Sequence, residues 1–198
     1  PKHRIIGMGG ALDSARFRYF LSIALGANIT EVEGIVIGGH GDTTMIPLVR
    51  YAAHRGLPAT ELLDKETLEK VAADTMVGGA TLTKLLGTSA WYAPGAAAAQ
   101  LVQAILHDEK KLISCSALLE GEYGQSDICI GVPCLLGRNG IEEVVEFKLN
   151  DQEKELFAKS AEAVRKTLST AIFAASAAAS AFSLRVSLTA SSALSAAS

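Results

Sequence analysis

Between Asp13 and Leu25 the apolar residues Phe17, Phe20, Leu21, Ala24 and Leu25 recur at three- and four-residue spacing, which predicts a helix with one buried stripe. Gly26 is placed to end it. Ahead of it, Arg4 to Ile6 reads as a short strand and Gly7-Met8-Gly9-Gly10 as a turn, so the helix is expected to open at Asp13 or Ser14. Further on, the near-continuous apolar run Val32 to Ile37 predicts a strand that leads into a glycine-rich loop around His40. Met45 to Ala52 predicts a second strand, short or at a sheet edge because Pro47 offers no amide donor. Thr60 to Lys65 reads as a connection. Glu66 to Leu86 predicts a long helix, in which Gly78-Gly79 marks a kink or a close helix contact. Pro94 suits the first turn of another helix, Gly95 to His107. Lys111 to Leu119 and Ile128 to Gly137 read as strands around a turn at Glu120 to Gly124. Arg138-Asn139-Gly140 carries a hairpin signal, with Ile141 to Leu149 as the partner strand. Asn150 or Asp151 is placed to cap a last helix, Gln152 to about Leu168. Helices mixed with neighbouring strands predict an α+β fold, mainly antiparallel strands with long packed helices.

The chain has 198 residues, 49% hydrophobic and 20% charged, and a net charge of −3, the profile of one ordinary globular domain with no basic stripe for nucleic acid. The composition changes at the end. Residues 169–198 are mostly Ala and Ser with Arg185 as their one charge, a tail expected to be disordered or partly helical after a domain spanning residues 1–168. Its apolar part is too short and too serine-rich for a membrane span. Cys115, Cys129 and Cys134 lack metal-ligand spacing and are odd in number, which points to free thiols in a reducing cytoplasm. The amino end lacks the apolar run of a signal peptide.

Two short stretches carry candidate chemistry: Leu12-Asp13-Ser14-Ala15-Arg16-Phe17-Arg18 and Gly38-Gly39-His40-Gly41-Asp42. Asp13 and Arg16, three apart, lie on neighbouring parts of one helix face. His40 sits between glycines directly after a strand, where a backbone can approach a ligand closely. The turn Gly7 to Gly10 imitates a dinucleotide loop, but Leu12 holds the third glycine position and the Asp13 carboxylate would repel a pyrophosphate. His40 and Asp42 lack a third ligand at useful spacing, so no metal is expected.

These two stretches resemble the lactate/malate dehydrogenase family, most closely malate dehydrogenases of the lactate-dehydrogenase-like type. The resemblance continues through Asp74-Thr75-Met76-Val77-Gly78-Gly79, Gly87 to Pro94 and Leu119 to Gly124, and covers roughly Pro1 to Leu168, the family's carboxy-terminal catalytic domain. It implies oxidation of malate to oxaloacetate with NAD as hydride acceptor, or of lactate to pyruvate. His40 then is the proton relay and meets the nicotinamide side of the cofactor. Asp13 orients and charges it, and Arg16 grips the substrate carboxylate. Ser89 and Ala90 fall where family members line the substrate pocket. The resemblance also implies a partner Rossmann domain absent from this stretch, a homo-oligomeric parent, and little activity in this piece alone. The competing reading is a folded domain that serves only assembly or packing.

Overall fold

The computed structural model describes residues 1–171. Two compact units divide the chain, Pro1–Glu162 and Ala163–Ser198. The sheets and the site all belong to the first; the described residues of the second, 163–171, are helical. Of the Ala/Ser tail expected over residues 169–198, residues 169–171 are helical and residues 172–198 lie outside the described residues.

The first helix, α1 (Gly9–Leu25), begins a full turn before Asp13. Gly9 and Gly10 are therefore helical rather than parts of a turn. Their missing side chains are needed for packing: a Cβ on Gly10 would stand 2.4 Å from the Ser114 hydroxyl, and one on Gly9 3.1 Å from the His40 ring. The strand expected at Arg4 to Ile6 is instead a single 3-10 turn (Lys2–Arg4), followed by one bridge between Gly7 and Ser116. At the other end Gly26 adopts φ 60 and closes the helix with Gly26 N–H on Ile23 O and Ala27 N–H on Ser22 O.

The apolar run Val32 to Ile37 divides into two strands in different sheets, β1 (Val32–Glu33) and β2 (Val36–Gly38). The break is steric. Gly34 passes so close to α1 that a Cβ would lie 2.9 Å from the Phe17 ring, and the chain bends over the helix there. The next strand, β3 (Met45–Pro47), ends at the proline and gives way to a 3-10 turn at Val49–Tyr51, so only the first third of the expected strand forms. It holds a sheet edge, as a proline-terminated strand should. Two-residue strands β4 (Ala53–His54) and β5 (Leu57–Pro58) complete a small antiparallel sheet with β1. The connection at Thr60 holds one helical turn, α2 (Ala59–Leu62).

Helix α3 (Lys65–Leu86) runs unbroken through Gly78-Gly79, with Asp64 accepting the Thr67 amide at its start and Gly87 in the left-handed region at its end. The glycine pair thus serves close contact: a Cβ on Gly79 would lie 3.0 Å from the Arg16 guanidinium. Helix α4 (Tyr92–Leu106) has Pro94 in its first turn. The main sheet is built on β6 (Lys111–Glu120) and the long β7 (Ser126–Gly137), paired antiparallel along their length. The other edge of β7 is shared. Strand β2 takes it at Gly131, and β8 (Gly140–Val144) takes it from Cys134 to Gly137. This sharing explains why β8 stops at Val144 instead of reaching Leu149: beyond Pro133, β2 already occupies the edge. All recorded pairings are antiparallel, as the α+β expectation has it.

The last described helix, α5 (151–171), starts at a reciprocal cap. The Glu153 amide donates to Asn150 Oδ1 and the Asn150 amide donates to Glu153 Oε2, each at 2.8 Å, satisfying two donors that the helix itself leaves unpaired. The core beneath α1 joins Phe17 and Leu21 to Val36, Met45, Leu68 and Val71, so α1 is held between α3 and the strands that lead to His40.

Candidate active site

Strand β2 delivers the His40 loop, and two serine hydroxyls fix that strand at Val36. Ser14 Oγ accepts the Val36 amide at 3.0 Å and Ser114 Oγ donates to the Val36 carbonyl at 2.5 Å. At Gly38 the chain turns with φ 93, and a Cβ would stand 2.4 Å from Thr44 O, so the turn requires glycine. The Gly39 amide donates to Ser160 Oγ at 2.8 Å. His40 follows, and the loop closes on itself: the Thr44 and Met45 amides donate to Gly41 O, while the Gly41 amide donates to Thr44 Oγ1.

His40 Nδ1 lies 2.7 Å from Asp13 Oδ2. The second carboxylate oxygen, Oδ1, accepts from Arg16 Nη1 at 3.1 Å. Asp13 is 1% exposed, so its charge is stabilised by these two partners and not by water. The His40 side chain is 55% exposed. Because an ionised carboxylate only accepts, Nδ1 carries the proton of this bond and Nε2 is left for an outside partner. The bond to Asp13 raises the His40 pKa above its usual 6.5. Partial burial opposes this, the Asp13 charge adds to it, and Arg16 opposes and Asp42 assists more weakly. The imidazole can therefore hold or yield a proton at Nε2, with Asp13 favouring the protonated form. Arg16 lies against Gly79, and among the described residues Asp13 is its one hydrogen-bonded acceptor, which leaves donors of the guanidinium fork for another carboxylate.

The structure thus brings together Asp13, Arg16 and His40. It does not bring in Ser89 or Ala90. Both lie in the loop between α3 and α4, Ser89 exposed and Ala90 half-buried, with no hydrogen bond to the cluster. The sequence reading missed Ser160, Ser14 and Ser114. A serine between Phe157 and Ala161 on the buried stripe of α5 was the available signal for the first, since a hydroxyl in such a stripe must find a partner. Among the described residues, no group of three or more His, Cys, Asp or Glu side chains could hold a metal, and no helix is long and apolar enough to cross a membrane. Gly7, Gly9 and Gly10 do not make the open turn of a dinucleotide loop: Gly7 bridges to Ser116, and Gly9 and Gly10 are the first residues of α1, where added side chains would meet the His40 ring and Ser114.

Residues 10–175 match the model for the lactate/malate dehydrogenase, alpha/beta C-terminal domain. The chain is 69% identical over 165 residues to a malate dehydrogenase of Flavobacterium frigidimaris, covering 83% of this chain and 53% of the relative. It is 70% identical over 167 residues to one of Bacteroides thetaiotaomicron, covering 84% and 53%. Among solved structures, malate dehydrogenase from Salinibacter ruber superposes with a TM-score of 0.82 at 44% identity, over 85% of this chain and 55% of that one. Lactate dehydrogenase from Eimeria maxima with NADH and oxamate gives 0.84 at 39%, over 89% and 56%. The chain spans about half the length of the relatives it matches. With the family's domain matched over residues 10–175, most of this chain, and with relatives sharing two residues in three, this chain belongs to the lactate/malate dehydrogenase family.

Proposed function

We propose that the chain is the catalytic half of a malate dehydrogenase, interconverting malate and oxaloacetate, and that Asp13, Arg16 and His40 carry the part of the reaction that belongs to this half. The observation that carries the reading is the buried Asp13 carboxylate, which holds an exposed imidazole by one oxygen and a guanidinium by the other. In oxidation, Nε2 of neutral His40 takes the proton of the substrate hydroxyl. In reduction, Nε2–H of the imidazolium donates to the carbonyl oxygen, and Asp13 stabilises the cation throughout. Arg16 holds the substrate carboxylate through its free donors and so fixes the reacting carbon over His40. NAD, when bound, supplies the hydride acceptor. It would be held by a nucleotide-binding half outside these residues, with His40 facing the nicotinamide. Ser89 and Ala90 remain candidates for the pocket wall through movement of the α3–α4 loop.

The test joins the amino-terminal half of the Flavobacterium frigidimaris enzyme ahead of Pro1 and follows NADH oxidation. The fusion is expected to reduce oxaloacetate in preference to pyruvate, to lose turnover on His40→Asn, and to lose oxaloacetate binding on Arg16→Ala. The chain alone is expected to be silent. A folded fusion that binds NADH yet turns over neither acid would overturn the catalytic reading and leave the assembly role; a preference for pyruvate would overturn malate as the substrate.

A further inference from the structure

Ser160 is 3% exposed on the inward stripe of α5, between Phe157 and Ala161, each 2% exposed. A serine inside a helix commonly returns its hydroxyl to the carbonyl one turn back. Here the hydroxyl does neither that nor face water. It donates to Thr44 O at 2.7 Å and accepts the Gly39 amide at 2.8 Å. These two backbone groups are the first and last of the loop that carries His40, and they lie 121 and 116 positions away in sequence. Both hydrogen-bonding roles of one hydroxyl are therefore used to clasp the loop at its ends. Gly38 makes room for this, since a Cβ there would come within 2.8 Å of Ser160 Oγ. Without the clasp, the loop would keep the bonds of Gly41 with Thr44 and Met45 and that of His40 with Asp13, and none of these takes up the Gly39 amide beside His40.

We infer that Ser160 is a positioning residue for His40: by holding Gly39 and Thr44 together it keeps the ring on Asp13 and aims Nε2 outward. Its effect on turnover rests on the proposed function; its effect on the ring does not. Arg16, on α1, bonds to Asp13 and not to Ser160 or the loop backbone, so loss of the clasp is expected to disturb proton transfer while sparing substrate binding. The charged groups that act on the ring, Asp13, Arg16 and Asp42, are all retained when Ser160 is changed.

Ser160→Ala, Ser160→Cys and Ser160→Thr are compared in two settings. In the full chain, imidazole NMR follows the His40 titration and hydrogen exchange follows the Gly39 amide. Alanine is expected to return the titration toward 6.5 and to speed Gly39 exchange about tenfold or more, cysteine to fall between, and threonine, which keeps the hydroxyl, to restore both. In the fusion enzyme, alanine is expected to lower kcat about tenfold with KM for oxaloacetate unchanged. An alanine variant with a native His40 titration and native Gly39 exchange would overturn the inference. So would a rise in KM in step with a fall in thermal midpoint, the mark of a merely structural hydroxyl. If the unmutated fusion does not turn over, the proposed function fails, while the titration and exchange still decide the role of Ser160.

Discussion

Among the described residues, two clusters join a histidine, a carboxylate and an arginine, and they are built in opposite senses. In the first, Asp13 is buried, each of its oxygens has its own partner, and the His40 ring is more than half exposed. In the second, Glu31 is exposed and takes Arg55 through a single oxygen, at 3.2 Å from Nε and 2.8 Å from Nη2. His54 Nε2 stands 3.9 Å from that oxygen, too far for a hydrogen bond, and is buried without a partner. The Arg55 bond holds the Glu31 pKa below the usual range, with burial opposing and the Arg55 and His54 charges assisting. A cluster with its acid inside and its base outside can exchange a proton with a bound molecule. One with its acid outside and its base inside can only tie two surface turns together. Residue types alone do not separate the two; the order of burial does.

The largest expected difference is therefore in turnover. In the fusion enzyme Asp13→Asn is expected to lower kcat/KM by about a hundredfold or more, because an amide can donate to Nδ1 and move the ring proton to Nε2. Glu31→Gln is expected to leave it unchanged. Comparable losses in steady-state oxaloacetate reduction would erase the distinction. Stability should divide the same way. Asp13→Ala strands a partly buried Arg16 and is expected to cost about 3 kcal/mol in urea unfolding, whereas Glu31→Ala removes an exposed pair and should leave the urea midpoint in place.

A subtler contrast lies in pH. The unfolded His40 imidazole titrates near 6.5 and the folded one higher, so the folded state favours the protonated form. The resulting stability is full below about 6.5 and is lost as pH rises through the folded pKa. The gap in thermal midpoint between the native chain and His40→Gln should accordingly narrow with rising pH; a gap that widens would contradict the Asp13 bond as its cause. The smallest effect is expected at the second cluster. His54→Leu replaces an orphaned buried nitrogen with apolar surface and should stabilise by up to about 1 kcal/mol, measured by urea midpoint. A clear loss there would show that His54 has a polar role after all.

The parts of this site that were legible in the sequence are those written within a few residues of each other. Asp13 and Arg16 share a helix face, His40 sits in its own glycine-rich loop, and Gly26 and Asn150 mark helix ends that the structure shows. What stayed hidden depends on distant neighbours. Gly34 breaks a strand only because Phe17 and Leu21 are there to be avoided. Gly9 and Gly10 look like a turn until Ser114 and the His40 ring are packed on them. Strand β8 is cut short by a competitor for the same edge, and Ser160 gains its partners from a loop more than a hundred positions upstream. Local propensity cannot carry such information, because the deciding atom belongs to another element.

The clasp by Ser160 also imposes an order of assembly. Synthesis proceeds from the amino end. The Asp13–Arg16 pair can form as soon as α1 exists, and the His40 bond adds a closure of 27 positions. The bonds from Ser160 must wait until nearly all of the domain has emerged. A growing chain thus holds its acid, cation and base well before it holds them still, and α5, made more than a hundred residues later, is the helix that turns a collection of reactive side chains into a fixed arrangement.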